Sequence, residues 1–106
     1  MNEANIYKAL GDPIRLEMIK RLAHGNDYTI SALSSDLGIT RQGARKQLQV
    51  LVSVNLVRLK QQGRETKVHL DVKTLNIAQQ FIAKLERQWE SRLLALKDFA
   101  EKPQGH

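Results

Sequence analysis

The chain contains no cysteine, and this absence removes a whole group of structures and functions. Without thiols there is no disulfide framework, no thiolate metal site and no thiol redox switch. No apolar run approaches the roughly 20 residues that span a bilayer. The N-terminal stretch MNEANIYKAL also lacks the basic start and continuous apolar run of a signal peptide. We therefore expect a cytoplasmic protein that does not interact with membranes.

Histidine is scarce as well, which argues against a metal site. His24, His69 and His106 are far apart in the sequence, whereas a metal site needs three or four such ligands. His24, Asp27 and Ser31 superficially resemble a hydrolytic triad, but the last two have the pattern of turn and cap residues. No oxyanion-hole signature accompanies them. We expect no metal, no cofactor and no enzymatic activity.

The basic residues are concentrated in one part of the chain. The net charge is +6, and residues Thr40–Lys67 contain seven basic residues against the single acidic Glu65. The remainder carries ten basic and ten acidic residues and is neutral. Such segregation is typical of a surface that binds nucleic acid. A basic surface without a partner is the alternative, and it does not account for the clustering.

The stretch Thr40–Leu56, TRQGARKQLQVLVSVNL, is predicted to be a DNA-recognition helix. Thr40 is a good N-cap, and Ala44, Leu48 and Leu51 recur at helical spacing. The opposite face lacks acidic residues, although a solvated face normally mixes charges. Arg and Gln suit guanine and adenine edges. The predicted DNA contacts, with the second and third reading bases, are Thr40, Arg41, Gln42, Gly43, Arg45, Lys46 and Gln49.

Two further features of this helix concern its C-terminal end and its glycine. Asn55 is predicted to end it, because Asn tolerates the left-handed conformation. Gly43 costs a helix about 1 kcal/mol relative to alanine. Two explanations for a glycine at this position stay open: close approach of the helix to the DNA backbone, or crowding against Ser34 or Ser35.

Two helices are predicted at the start of the chain. The first runs from Asn2 to Leu10. Gly11-Asp12-Pro13 ends it and begins the second, Ile14–His24, because Gly ends helices, Asp caps them and Pro suits the first helical position.

A helix-turn-helix follows. Residues 28–30 are predicted to be extended and to pair with the later hairpin. Ser31 is a candidate N-cap for a third helix, Ala32–Leu37, and Gly38 supplies the left-handed residue of the turn. A helix, a tight glycine-containing turn and a second helix form this motif.

Two segments of alternating hydrophobicity come next, Val57–Lys60 and Thr66–Leu70. They predict a β-hairpin whose loop is residues 61–65, and a wing of residues 61–67 with a basic tip. We expect the wing to reach the DNA backbone or minor groove through Lys60, Arg64 and Lys67, mainly at phosphates.

Residues Val72–Lys102 are predicted to form one long helix, and residues 103–106 a frayed tail, so that residues 1–102 make a single domain. Apolar residues recur along the helix in a near-heptad seam. This seam is too long for one small core, so its part from Leu85 to Leu96 needs a second chain. The predicted dimer interface comprises Ile6, Leu10, Leu75, Ile82, Leu85, Trp89, Leu93 and Leu96. Alternatively, Trp89 lines a pocket for an unidentified apolar effector.

The order and spacing of these motifs resemble the ArsR family of winged helix-turn-helix regulators, from about Ala9 to Lys97. The matching stretches are ALGDPIRLEMIKRL and TISALSSDLGITRQGARKQLQVLVSVNLV, followed by the basic hairpin and long helix. The resemblance implies a mainly α fold with a small β-hairpin, ordered α-α-α-α-β-β-α. It also implies dimerisation through the first and last helices. Family members typically repress transcription and release DNA when an effector binds.

The sequence departs from the family's metal sensors. Some carry a cysteine pair in the third helix, where this chain has Ser31-Ala32-Leu33-Ser34, and others use Asp and His on the last helix, which here has no histidine. The chain therefore resembles the branch without metal ligands, as do its TRQG motif and its Trp89/Arg92/Leu93/Leu96 pattern. Gln47 stands where many relatives have histidine.

We therefore expect a sequence-specific DNA-binding regulator, a homodimeric repressor on a palindromic operator. The alternative is a winged-helix interaction module that docks an acidic protein. An acidic partner needs positive charge only, whereas Gln42 and Gln49 among the arginines favour reading of a DNA groove.

Overall fold

The computed structural model describes residues 3–25 and 28–101. The elements in this part of the chain follow one another as α1 (Glu3–Leu10), α2 (Pro13–Leu22), β1 (Tyr28–Thr29), α3 (Ile30–Ser34), α4 (Arg41–Ser53), β2 (Val57–Gln62), β3 (Glu65–Leu70) and α5 (Val72–Glu101). This is the mainly helical fold with a small antiparallel sheet that the sequence predicted. The predictions for Asn2, Asp27, Lys102 and residues 103–106 fall outside the described residues. No helix among the described residues is both long and apolar enough to cross a membrane.

Side-chain caps begin α2 and α4 as the sequence predicted. A carboxylate oxygen of Asp12 accepts hydrogen bonds from the backbone N–H groups of Ile14 (2.9 Å) and Arg15 (3.1 Å). The hydroxyl of Thr40 accepts from the backbone N–H of Gly43 at 2.9 Å. These N–H groups have no partner within the helix, so each cap is worth about 1 kcal/mol. The cap therefore fixes the residue at which α4 begins.

The start of α3 differs from the prediction. Thr29, not Ser31, is the N-cap, and its hydroxyl accepts from the backbone N–H of Ala32 at 3.0 Å. Ile30 was predicted to be extended, but it is the first helical residue and is buried. The reason is that an N-cap residue has extended backbone geometry, and Thr29, the last residue of β1, already has this geometry directly before the helix. Ser31 is left exposed on the surface.

The turn between α3 and α4 is longer than predicted, because α3 ends at Ser34 instead of Leu37. Both Asp36 (φ 62°) and Gly38 (φ 70°) adopt the left-handed conformation there. Asn55, the predicted end of the recognition helix, is also left-handed (φ 61°), two residues beyond the last helical residue of α4. These residue types tolerate that conformation at the lowest steric cost.

The three strands form an antiparallel sheet in the order β1-β3-β2. Tyr28 pairs with Val68, which confirms the predicted pairing of the early extended piece with the hairpin. The hairpin is longer than predicted, since pairing continues to Gln62 opposite Glu65. The turn therefore consists of Gly63 and Arg64 alone, with Gly63 at φ 63°. The predicted five-residue loop was wrong.

The side chain of Gln61 explains why the hairpin closes so tightly. Its Oε1 accepts from the hydroxyl of Thr66 at 2.7 Å, and its Nε2 donates to the carbonyl of Gly63 at 2.9 Å. Polar side chains that satisfy backbone groups at a turn take the place of water and favour the paired geometry. The wing tip is thus held in a fixed position relative to the sheet.

The core lies between α1, α2, α3, α4, the sheet and the start of α5. Its largest fully buried side chains are Ile6, Met18, Leu33, Leu48, Leu51, Leu56, Val57 and Val68. Ile6 is 0% exposed, so it has no surface left for a second chain. Its predicted place in the dimer interface was therefore wrong, because the chain's own core buries it completely.

Only the beginning of α5 packs on the rest of the chain. The hydroxyl of Tyr7 donates to the carbonyl of Ala78 at 2.5 Å, and its ring lies 5.9 Å from the ring of Phe81. From Lys84 to Glu101, by contrast, every residue is exposed. The radius of gyration is 20.1 Å, against about 13 Å for a compact domain of 100 residues. The distal half of α5 therefore projects from the domain.

Candidate nucleic-acid interface

One face of α4 is fixed against the core, and this determines which residues point outward. Ala44, Leu48 and Leu51 are completely or almost completely buried. Gln42, Lys46 and Gln49 lie on the opposite face and are exposed. Their spacing of four and three residues places them in one row along the helix. The polar, acid-free surface predicted from the sequence is therefore available to a partner.

Arg41 and Arg45 lie to one side of this row, toward α3 and the wing. Arg41 donates from Nη2 to the Ser31 hydroxyl oxygen at 3.0 Å. Both arginines line the same cavity as Arg64 of the wing turn. Both residues thus lie on the flank of α4, and the outer row consists of Gln42, Lys46 and Gln49.

The three basic residues predicted to contact DNA from the wing lie on the hairpin, but they differ in exposure and in their charged neighbours. Arg64 occupies the turn and Lys60 is exposed on β2. Lys67, which pairs with Lys60 across the strands, is only partly exposed, and its Nζ lies 4.0 Å from a carboxylate oxygen of Glu65. Part of its charge is therefore neutralised within the protein.

Gly43 is crowded by its own helix cap. A Cβ at this position would lie 3.2 Å from the Thr40 hydroxyl oxygen and 3.7 Å from Cβ of Ile39. No atom of Ser34 or Ser35 comes within 4 Å of it, so the predicted crowding against those serines was wrong. The other explanation, close approach to DNA, stays a prediction.

Arg15 is a residue whose importance the sequence did not reveal. From α2, its Nε donates to the carbonyl of Ala9 at 2.6 Å and its Nη2 to the carbonyl of Lys8 at 3.3 Å. Its Nη1 donates to Oε1 of Gln47 on α4 at 2.7 Å. One guanidinium group therefore joins the end of α1 to the middle of the recognition helix. Gln47, noted as a departure from the family, was the only available signal.

Removing this guanidinium should destabilise the fold. We expect Arg15→Met to lower the free energy of unfolding by roughly 1.5–3 kcal/mol, the usual range for hydrogen bonds from a charged group, while the stem still packs. Urea denaturation measures this change in the free energy of unfolding. Lys20→Met, at an exposed position of the same helix, is the matched control and should change stability by less than about 0.5 kcal/mol. Equal stabilities of the two variants would contradict a linking role for Arg15.

The predicted dimer seam is exposed along its distal part. Leu10 and Leu75 are partly buried and line a groove of about 380 Å³ between α1 and α5, together with Tyr7 and Ile82. Beyond this groove, the exposed apolar residues of α5 are Leu85, Trp89, Leu93, Leu94, Leu96 and Phe99. Large apolar patches are unusual on monomers, so this distal part of α5 is a candidate interaction surface. Trp89 does not line the groove, so the apolar-effector hypothesis stays a prediction.

The ionisable residues offer little for other chemistry. Among residues 3–25 and 28–101, no group of three or more His, Asp or Glu side chains is arranged to hold a metal ion. His69 pairs with Arg58 across the hairpin.

Comparisons with known proteins agree on the type of domain. A model of a helix-turn-helix domain family matches residues 10–60. An uncharacterized HTH-type transcriptional regulator of Bacillus subtilis strain 168, YuzN, is 38% identical over 69 residues, which cover 59% of this chain and 75% of that protein.

Solved structures extend the similarity to almost the whole chain. An ArsR-like transcriptional regulator from Rhodococcus sp. RHA1 is 30% identical, with a TM-score of 0.78, over 95% of this chain and 94% of that one. The transcriptional repressor BigR from Xylella fastidiosa shares the fold, with a TM-score of 0.61 and 22% identity over 76% and 82% of the two chains.

Proposed function

Because the chain belongs to the ArsR family of winged helix-turn-helix, DNA-binding transcriptional regulators, we propose that it is a homodimeric repressor that binds a palindromic operator. The observation that supports this most strongly is the outer row of α4. Gln42, Lys46 and Gln49 are exposed on a helix whose other face is locked into the core. A rigid helix with outward amides and no carboxylate matches the donor and acceptor pattern of a major groove.

We propose distinct roles for the basic and amide side chains. The row Gln42, Lys46 and Gln49 reads base edges, and Lys60 and Arg64 contact phosphates beside the helix. Thr40 and Gly43 allow the start of α4 to approach the DNA backbone, and Lys67 contributes weakly because Glu65 shares its charge. Phosphate contacts fix the register of the protein, whereas base contacts supply the discrimination.

Dimerisation is the second part of the proposal. The groove between α1 and α5 and the exposed seam beyond it would be buried against the same surfaces of a second chain. A two-fold axis then presents two copies of α4 to successive major-groove faces, about 10 bp apart or a multiple of this. Residues 1–102 act as one domain in this arrangement, since α1 and α5 belong to both core and interface.

Repression follows from occupancy of DNA. A dimer on an operator that overlaps a promoter excludes RNA polymerase, and the structural relative BigR is described as a repressor. The named relatives come from bacteria, where chromosomal DNA lies in the cytoplasm, so we place the protein there. Docking of an acidic protein is not favoured, because it gives no role to the exposed amides.

A gel-shift assay with the DNA upstream of the protein's own gene tests the proposal. We expect a retarded band that survives an excess of unrelated duplex at about 0.15 M salt, where non-specific binding is weak. Equal competition by unrelated duplex would contradict sequence-specific binding. An unrelated acidic protein serves as the competitor for the interaction-module alternative and should leave the band unchanged.

Metal ions and oxidants should not regulate DNA binding. We expect micromolar Zn²⁺, Cd²⁺ or arsenite, and mild thiol oxidants, to leave operator affinity unchanged, since the chain has no thiolate. Fluorescence anisotropy of a labelled operator measures this, with a chelator-treated sample as the control. Release of DNA together with stoichiometric metal binding in calorimetry would overturn this expectation.

A further inference from the structure

Three arginines from two separate parts of the chain meet at one cavity, which we name the arginine cleft. Arg41 and Arg45 come from the first turns of α4, and Arg64 comes from the turn of the wing. Ser31 and Thr66 are also among the residues that line it. The sequence separates Arg64 from the other two by about twenty residues, so their convergence is a product of the fold.

No ion pair joins these arginines to a carboxylate within the described part of the chain, although Glu65 is also among the residues that line the cleft. The ion pairs found there join Arg21 to Glu17 and Lys67 to Glu65. Like charges placed around one cavity repel each other, which is tolerated on a binding surface when an anion compensates them. Ser31 holds one guanidinium nitrogen of Arg41 at 3.0 Å. The remaining N–H groups of that planar fork stay available to an anion.

The size of the arginine cleft limits what it can bind. Its volume is about 180 Å³, whereas pockets for small-molecule ligands usually exceed about 300 Å³. A single tetrahedral anion with multiple oxygen acceptors matches both the volume and the bidentate geometry of arginine.

The position of the cleft identifies the source of that anion. One sugar–phosphate strand separates the major groove from the neighbouring minor groove of a duplex. A helix in one groove and a hairpin directed at the next must therefore straddle that strand. The arginine cleft lies between α4 and the wing, where the strand would pass.

We propose that the arginine cleft binds a single phosphate of the DNA backbone and thereby locks the wing and α4 onto the same strand. The inference rests on the proposed DNA-binding function. It assigns Arg41 and Arg45 to backbone binding, although the sequence predicted base reading by Arg41. Glu65 lines the same cleft, and its negative charge would oppose binding of the anion.

Methylphosphonate scanning tests the proposal directly. The operator duplex is made with one neutral methylphosphonate linkage at each backbone position in turn, and binding of the wild type is compared with that of Arg41→Gln and Arg64→Gln. We expect one linkage per half-site at which neutralisation weakens the wild type roughly 10- to 100-fold, the range for a lost charge-assisted hydrogen bond. On unmodified DNA, each variant should lose about as much affinity as the wild type loses at that linkage. Neutralising the linkage should then have no further effect on the variants.

Three further readouts separate a phosphate contact from a base contact. Arg64→Gln should reduce the slope of log K against log salt by about 0.9, while Lys20→Gln, an exposed position on α2, should leave it unchanged. The base preference of Arg41→Gln should equal that of the wild type. Glu65→Gln should tighten binding to every duplex.

The outcomes also distinguish failure of this inference from failure of the proposed function. Selective DNA binding without a sensitive linkage, or an altered base preference in Arg41→Gln, would contradict phosphate binding by the arginine cleft. The proposed DNA-binding function would still stand in either case. Absence of selective binding by the wild type would overturn the proposed function itself. Inorganic phosphate added to the free protein should shift the Nε–H resonances of the three arginines only at millimolar levels. Micromolar binding that releases DNA would instead assign the cleft to a small anionic effector.

Discussion

Leu85→Asp should give a folded monomer that no longer binds the operator. Leu85 is 48% exposed and lies outside the apolar residues that pack on the core, so the domain does not depend on it. In a dimer, each buried leucine contributes roughly 1.5–3 kcal/mol, and two copies are lost across the two-fold axis. A buried unpaired carboxylate adds a further penalty. The monomer retains one α4 and about half of the phosphate contacts, too few for tight binding at physiological salt.

Light scattering gives the mass, circular dichroism the helix content and fluorescence anisotropy the operator affinity of the same sample. Ser91→Asp is the matched control, because Ser91 lies on the opposite side of α5 and should leave the dimer intact. In the wild type, dilution should shift Trp89 fluorescence to the red as the dimer dissociates. A Leu85→Asp monomer that binds the operator as tightly as the wild type would refute the role of the seam.

Gln42→Ala combined with Gln49→Ala should abolish most of the preference for the operator over unrelated DNA. Each amide that pairs with a base edge contributes about 1–3 kcal/mol of discrimination, so loss of both amides corresponds to a loss of preference of roughly 30-fold or more. Binding to unrelated duplex should change little, since the basic residues of α4 and the wing remain. Each single variant should relax the preference at one or two base positions in each half-site.

The control for this pair is Gln80→Ala, which removes the same group from an exposed position on α5. It should leave both the affinity and the base preference unchanged. If the double variant binds all sequences more weakly by the same factor, the outer row of α4 does not read bases.

Local chemistry explains why much of the fold was predictable. Asp12 followed by Pro13, and Thr40 before an apolar-periodic stretch, are helix starts that depend on neighbouring residues only, and both are present as predicted. The left-handed residues Gly38 and Asn55 were identified for the same reason. The long last helix was evident because its apolar residues recur over many turns.

The differences arise where a tertiary contact decides between two local options. Ser31 and Thr29 are both good caps, and the pairing of β1 with β3 selected the threonine. The hairpin turn has two residues instead of five, and the Gln61 side chain stabilises it by hydrogen bonds to Gly63 within the turn and to Thr66 after it. Sequence periodicity contains neither piece of information.

The candidate site was predictable in its composition and less so in its geometry. Positive charge located the surface, and helical spacing placed Gln42 and Gln49 on its outer row. The direction of a long side chain is set by its partners, however, so the turn of Arg41 toward Ser31 was not visible in the sequence. The link from Arg15 to Gln47 joins residues 32 positions apart and depends on the packing of three helices.

Selection of duplexes from a random library by the wild-type protein tests the proposed function most directly, because it requires no knowledge of the regulated gene. We expect enrichment of an imperfect palindrome whose half-sites are centred about 10 bp, or a multiple of this, apart. Enrichment of a single unrepeated site, or of no sequence at all, would contradict a dimeric regulator that reads DNA through α4.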